Sequence, residues 1–330
     1  MKYSSPNPYL TRYKGNPILQ GKDFPHEYGI RHVFNSGMIK YKGKYLMMCR
    51  TEDHRLRDRF WIAESSDGYK FKPRPAPVKM PMGNKEFQDY TYNGEVYYDP
   101  RITFIDGKYY IIHSCHSSHT CRLSLLETED FEKFKWRGFI CEPDNRNGVL
   151  FPEKFNGLYC RMDRPNTDAN IGDIWVSYSP DLIHWGQSRC VVRNSQLRWS
   201  WGKIGPGSVP IRTKEGWLCI FHSVYTVCNY QFVYNLGVML LDLKDPSKCI
   251  AMCDDMILSP EMDYELHGQT PSVVFTAGHI LEDDGEIKIY YGGADTVMCV
   301  ATTTLKTLLD ACHNRIKAPD HTPLMPFGRK

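Results

Sequence analysis

Apolar, aromatic-rich runs along the chain are interrupted five times by a short polar turn that carries a glycine. The turns read Tyr41-Lys-Gly-Lys-Tyr45, Ile105-Asp-Gly-Lys-Tyr109, Phe155-Asn-Gly-Leu-Tyr159, Thr213-Lys-Glu-Gly-Trp217 and Asp283-Asp-Gly-Glu-Ile287. Glycine at Gly43, Gly107, Gly157, Gly216 and Gly285 tolerates the positive φ of a tight turn, so each pair of flanking runs predicts a β-hairpin. The hairpins recur every 50–69 residues. A hairpin unit repeating at that period predicts an all-β, five-bladed β-propeller, with one set of residues from each blade converging on a common axis.

A second repeat follows the first. Ser65-Ser-Asp67, Thr128-Glu-Asp130 and Ser179-Pro-Asp181 each come 23 or 24 residues after a turn glycine and are followed by an aromatic residue. These are Asx-type turns that leave an outer strand and set the next one. Leu243-Lys-Asp-Pro-Ser247 is a looser version in the fourth unit, and a helix over 303–313 takes its place in the fifth. The whole chain, 1–330, reads as one propeller domain, with residues 1–30 wrapping the outside or closing the ring.

Composition alters this picture little. In 330 residues, 42% hydrophobic and 13% aromatic, there is ample material for a large core in one all-β domain. A formal charge of +3 argues weakly against a nucleic-acid partner, and no apolar run is long enough for a membrane span. The start of the chain has no apolar signal core. Twelve scattered cysteines with no Cys-x-x-Cys fit reduced, buried thiols in a cytoplasmic protein better than a disulfide framework. The sequence leaves a homo-oligomer open.

Counting forward from each glycine locates polar residues at strand ends. Six or seven residues on come Arg50, His113, Arg164 and His222, and ten residues after Gly285 comes Asp295. A single residue of this kind is more often a rim ion pair than a ligand contact, but repetition in every blade favours a site. Asn35, Tyr98-Asp99-Pro-Arg101, Asn145-Arg146-Asn147 and Trp201-Gly-Lys203 precede the hairpins and join the set. Several cations in one water-poor pocket repel each other unless an anion is bound, which predicts an anionic ligand such as phosphate. Tyr98, Trp201, Tyr225 and Tyr234 could stack on a sugar or simply pack the sheets. Asp99, beside two tyrosines and held extended by Pro100, is a candidate general acid or else an Asp-Pro turn paired with Arg101. His113, His116 and His119 resemble a metal cluster without a correctly spaced carboxylate, so no metal site is expected. Gly202–Gly207 lacks the order of a phosphate loop. Glu52, Asp53, Arg55, Arg57, Asp58 and Arg59 read as a solvated loop from which an arginine could reach the mouth of the site.

These stretches resemble glycoside hydrolase family 130, the five-bladed propeller family of β-mannoside phosphorylases. The likeness is carried by Asn16-Pro-Ile-Leu19, Asn35-Ser-Gly-Met38, Met48-Cys-Arg50-Thr-Glu-Asp53, Tyr98-Asp-Pro-Arg-Ile-Thr103, Leu150-Phe-Pro-Glu-Lys154, Asp163-Arg-Pro165, Lys203-Ile-Gly205, Phe221-His222 and Tyr291-Gly-Gly-Ala-Asp-Thr296. The resemblance implies that Asp99 is the general acid. It implies a phosphate site of Arg146, Arg164, Lys203 and His222 with Asn147 and Tyr234. It implies that Asn35, Arg50, Arg57, Tyr98 and Asp295 surround the mannosyl unit. The activity implied is inverting phosphorolysis of a β-mannoside, β-1,4 by preference, with inorganic phosphate as co-substrate and no cofactor. The alternatives are a β-mannosidase that uses Glu153 or Asp163 as a second carboxylate, and a sugar-binding propeller without turnover. Asp163 departs from the family, where many relatives have His before that arginine, and His113–Arg122 has no clear match.

Overall fold

The computed structural model describes residues 7–81, 83–167, 171–227 and 231–316. Five antiparallel sheets form the blades of a five-bladed β-propeller. Blade 1 holds strands Ile30–Tyr41, Lys44–Asp53, Asp58–Ser65 and Lys72–Pro73. Blade 2 holds Tyr97–Ile105, Lys108–Ser117, Thr120–Thr128 and Lys135–Phe139, and blade 3 holds Asn145–Leu150, Tyr159–Pro165, Ile174–Ser179 and Gly186–Val192. Blade 4 splits its first strand into Lys203–Pro206 and Ile211–Arg212, both paired with Trp217–Thr226, and continues with Phe232–Leu241 and Cys249–Met252. Blade 5 is built from Val274–Leu281, Glu286–Gly293 and Val297–Thr304. Its fourth strand is Thr11–Arg12 from the beginning of the chain, paired antiparallel with Thr302 and Ala301. The first strands of blades 1 and 2, 2 and 3, 3 and 4, and 5 and 1 touch each other around the axis, and Val274–Leu281 of blade 5 meets blade 4 at Trp217–Thr226 and Phe232–Leu241.

The long apolar runs follow from burial on both sheet faces. Among the described residues each neighbouring pair of blades encloses one hydrophobic cluster. Because strand side chains alternate, Leu46 and Met48 face blade 2 while Met47 and Cys49 face blade 5. Ile111 and Ile112 divide in the same way between blades 1 and 3. The described cysteines are unbonded thiols, most of them buried, whereas Cys228 lies outside the described residues.

The glycine turns all connect hairpin strands, with φ between 76° and 87° at Gly43, Gly107, Gly157 and Gly285. The outer turns are also built as expected. The Asp67, Asp130 and Asp181 carboxylates each accept two backbone N–H bonds, and the Ser65, Thr128 and Ser179 hydroxyls accept from the residue three further on. In blade 4 Asp242 accepts two backbone N–H bonds, from Lys244 and Asp245, and the expected Asp245 accepts from the N–H and hydroxyl of Ser247. The helix near the end spans Leu305–Cys312, shorter than expected at both ends. Thr303 and Thr304 still belong to the last strand, and the Thr304 hydroxyl caps the helix by accepting from Thr307 N–H. Among the described residues no helix is long and apolar enough to cross a membrane.

Candidate active site

Three first strands carry a bulge at one structural position. The ladder skips between Phe34 and Gly37, between Tyr98 and Arg101, and between Arg146 and Val149. In each gap the first residue has positive φ: Asn35 at 48°, Asp99 at 54° and Asn147 at 57°. Asn and Asp tolerate this region better than other non-glycine residues, and a bulge redirects a side chain out of the pleat. Asp99 is therefore not extended, although it precedes Pro100. Arg101 likewise does not pair with its carboxylate and instead donates to the Asp99 backbone carbonyl at 3.1 Å.

Among the described residues the Asp99 carboxylate is bonded on one side only. Its Oδ1 accepts from Arg50 Nη1 at 2.9 Å and from Asn35 Nδ2 at 3.1 Å. Arg50 lies between the rings of Phe34 and Tyr98, 4.2 and 4.6 Å from their centroids, and its Nε donates to Asp58 at 3.0 Å. Burial pushes the Asp58 carboxyl up to about 7 despite the arginine beside it. Asp295, in the turn after Glu286–Gly293, is pushed up to about 6 by burial, with Arg50 opposing. Four of the five mannosyl candidates, Asn35, Arg50, Tyr98 and Asp295, thus gather around Asp99.

Blades 3 and 4 supply a cationic wall. Arg164 Nη1 donates to His222 Nε2 at 3.0 Å, and Arg164 Nε donates to Asn166 at 3.1 Å. Arg146 pairs with Asp144 at 3.3 Å. Lys203 Nζ sits 4.8 Å from the Phe232 ring centroid and 5.9 Å from that of Tyr234. A Cβ on Gly205 would lie 2.6 Å from His222 Cε1 and 3.0 Å from Asn147 Oδ1, so only glycine lets these two groups flank the strand so closely. Burial, reinforced by Arg164 and Arg146, lowers Lys203 to about 7. Burial also lowers Arg164 to about 10, with Arg146 adding to the effect, and holds His222 well below its ordinary value, helped by Arg164, Arg101 and Lys203. The wall resists its own positive charge, as expected of a site built for an anion. Buried Asn147 Oδ1 and His222 Nδ1 have no hydrogen-bond partner among the described residues.

Several expectations need correction. Arg57 does not join the cluster: its guanidinium is tied to Asp53, 2.7 Å from Nε, at the hairpin after blade 1's second strand. Glu52, Asp53 and Asp58 are buried, not solvated, and only His54, Arg55 and Leu56 of the stretch 52–59 have the exposure expected of a loop. His113 is opposite the bulge, not beside it, because Tyr98 pairs with Ser114 where Phe34 pairs with Arg50 and Arg146 with Arg164. A one-residue offset turns it to the other sheet face, where it packs against Phe60, Phe87 and Tyr97. Among the described residues no group of three His, Cys, Asp or Glu is placed to hold a metal. Glu153 is exposed and pairs with Arg212, and Asp163 is bonded by Arg161 and Asn145. Asp58 is the site residue that sequence reasoning missed. Its only signal was alternation with Phe60, and the surrounding charges obscured it.

Comparison with known proteins places the chain in a family. A family model described as beta-1,4-mannooligosaccharide phosphorylase matches residues 10–314. The beta-1,4-mannooligosaccharide phosphorylase of Ruminococcus albus is 35% identical over 312 residues, covering 91% of this chain and 90% of the relative. The 1,2-beta-oligomannan phosphorylase of Thermoanaerobacter sp. is 33% identical over 309 residues, covering 91% and 98%. The beta-1,2-mannobiose phosphorylase from Listeria innocua, solved in complex with beta-1,2-mannobiose, superposes with a TM-score of 0.82 at 27% identity, covering 92% of this chain and 99% of its own. Matched along nearly its whole described length, the chain belongs to glycoside hydrolase family 130.

Proposed function

We propose that the chain catalyses inverting phosphorolysis of a terminal β-mannosyl linkage, giving α-mannose 1-phosphate and a shortened acceptor. The observation that carries this reading is the grouping of Arg146, Arg164, Lys203 and His222 in one wall, where burial and mutual repulsion hold Lys203 and Arg164 below their ordinary values, next to the Asp99 carboxylate held at Oδ1 by Arg50 and Asn35. Phosphate held by those four, with Asn147 and Tyr234, attacks the anomeric carbon. Asp99 supplies the proton that the departing sugar oxygen takes, directly or through a sugar hydroxyl. Asn35, Arg50, Tyr98 and Asp295 hold the mannosyl unit. An inverting hydrolase needs a second carboxylate to activate water, but a phosphate nucleophile arrives already anionic. Its approach needs cations that offset repulsion and fix the line of attack. The named activities of the similar proteins, on β-1,4 and β-1,2 linkages, support the reaction class and leave both linkages as substrates to test.

The test is cleavage of β-1,4- and β-1,2-mannobiose with and without inorganic phosphate. Turnover that requires phosphate and yields α-mannose 1-phosphate is expected. Equal rates and free mannose in both conditions would refute the reading. Asp99→Asn is expected to lower kcat by at least ~10²-fold while phosphate still binds.

A further inference from the structure

Arg101 has no role in the reading above, yet it is the most deeply buried arginine near the site, at 2% exposure. Among the described residues its guanidinium is hydrogen-bonded by backbone carbonyls alone: Nε donates to Gly207 O at 2.6 Å, Nη1 to Asp99 O at 3.1 Å and Nη2 to Pro206 O at 3.3 Å. The opposite charge it feels is that of Asp99, whose Oδ1 is already occupied by Arg50 and Asn35. On its other side the guanidinium lies 5.7 Å from the Phe275 ring centroid, and that ring is 4.5 Å from His222. A buried cation without a carboxylate of its own is costly to keep, and backbone carbonyls offset only part of that cost.

We infer that Arg101 is a positioning residue that ties the Asp99 bulge of blade 2 to the Lys203–Gly207 segment of blade 4, and that bound phosphate completes the neutralisation of its charge. This rests on reading the neighbouring cations as a phosphate site. The three carbonyl bonds explain the position: one fork spans the backbone of the proton donor and the backbone that carries the phosphate ligands. The uncompensated charge explains the sign, because it adds to the field of Arg164 and Lys203 at the point where an anion would sit. It also contributes to holding His222 neutral, which lets Nε2 accept the bond from Arg164.

Two variants separate the parts of this inference. Arg101→Gln removes the charge, and Arg101→Lys keeps it but loses the fork. Arg101→Gln is expected to raise the KM for inorganic phosphate at least about tenfold and to diminish the rise in Tm that phosphate gives the wild type. Arg101→Lys is expected to hold the phosphate KM within about threefold while kcat falls at least about tenfold, since charge remains but alignment is lost. A folded Arg101→Gln protein with wild-type phosphate KM and Tm response would overturn the inference. If that variant does not fold, Arg101→Lys decides: wild-type kcat would overturn the inference, and the KM-against-kcat split would uphold it. The Tm response to phosphate needs no mannoside, so it separates the two readings. Wild type that gives no phosphorolysis but is stabilised by phosphate, with the effect lost in Arg101→Gln, refutes the proposed reaction and not the role of Arg101.

Discussion

Burial and two neighbouring arginines leave Lys203 titrating at about 7, so its charge depends on pH where most side chains are settled. An anion favours the ammonium form, and phosphate binding therefore draws a proton onto the lysine in neutral solution. Because the free protein loses that proton above about 7, phosphate affinity is expected to fall as pH rises from 6.5 to 9. Lys203→Arg stays charged throughout and should show a flatter profile. Phosphate's own ionisation is common to both proteins, so the difference between their calorimetric Kd profiles isolates the lysine; parallel profiles would refute the assignment. At this scale the sequence was partly legible. Asn35 and Asp99 stand eight residues before their turn glycines and Asn147 ten before its own, a regularity that marks the bulges by counting backward. Counting forward went astray at His113, because a step of one residue selects the opposite sheet face and a glycine count does not record bulges.

The outer turns separate stability from activity. Asp130 accepts from Glu132 N–H and Lys133 N–H at 2.8 Å each, and Thr128 Oγ1 accepts from Phe131 N–H at 3.0 Å, which seats Phe131 in the core between blades 1 and 2. Asp130→Ala removes two backbone bonds at an exposed turn and should cost about 1–2 kcal/mol, read as a lower Tm, with kcat unchanged. A fall in kcat at full occupancy of the folded state would mean that blade 2 transmits its edge to Asp99. These turns were readable because their chemistry is local: a hydroxyl, a carboxylate and an aromatic within seven residues. Blade 4 was harder to read. Its first strand is broken between Pro206 and Ile211, and its Asx bonds are shared by Asp242 and Asp245, so the spacing that identified three blades does not carry over. Asp58 escaped notice for a related reason, since a charged run resembles a loop until a neighbouring strand buries alternate members of it.

Ring closure depends on a small polar joint. Arg12 Nε donates to Glu265 Oε1 at 2.8 Å, the Tyr291 hydroxyl donates to the same oxygen at 2.8 Å, and Glu265 is fully buried. Arg12→Met leaves that carboxylate without its cation and is expected to destabilise the protein by about 3–5 kcal/mol. Changing Glu265→Gln in the same chain should recover part of the loss in thermal unfolding, and an unchanged Tm in the single variant would show that the strand pairing alone closes the ring. The propeller class was clear from sequence because its period is long and its turns need glycine; the partner of the closing strand was not, because two residues, Thr11 and Arg12, carry no periodic signal. That strand also sets an order of events during synthesis. Thr11 is made before its partner Thr302, so the fifth sheet gains its fourth strand only once Thr302 has followed. A nascent chain can form hairpins as it lengthens, yet this pair meets only after every strand between Thr11 and Thr302 has been made, and loop closure over that distance comes late in folding. Under the proposed function, Asn35, Asp99, Arg164, His222 and Asp295, one from each blade, come together only with that closure, so a chain stopped before Thr302 is expected to hold the parts of the site without phosphorolysis.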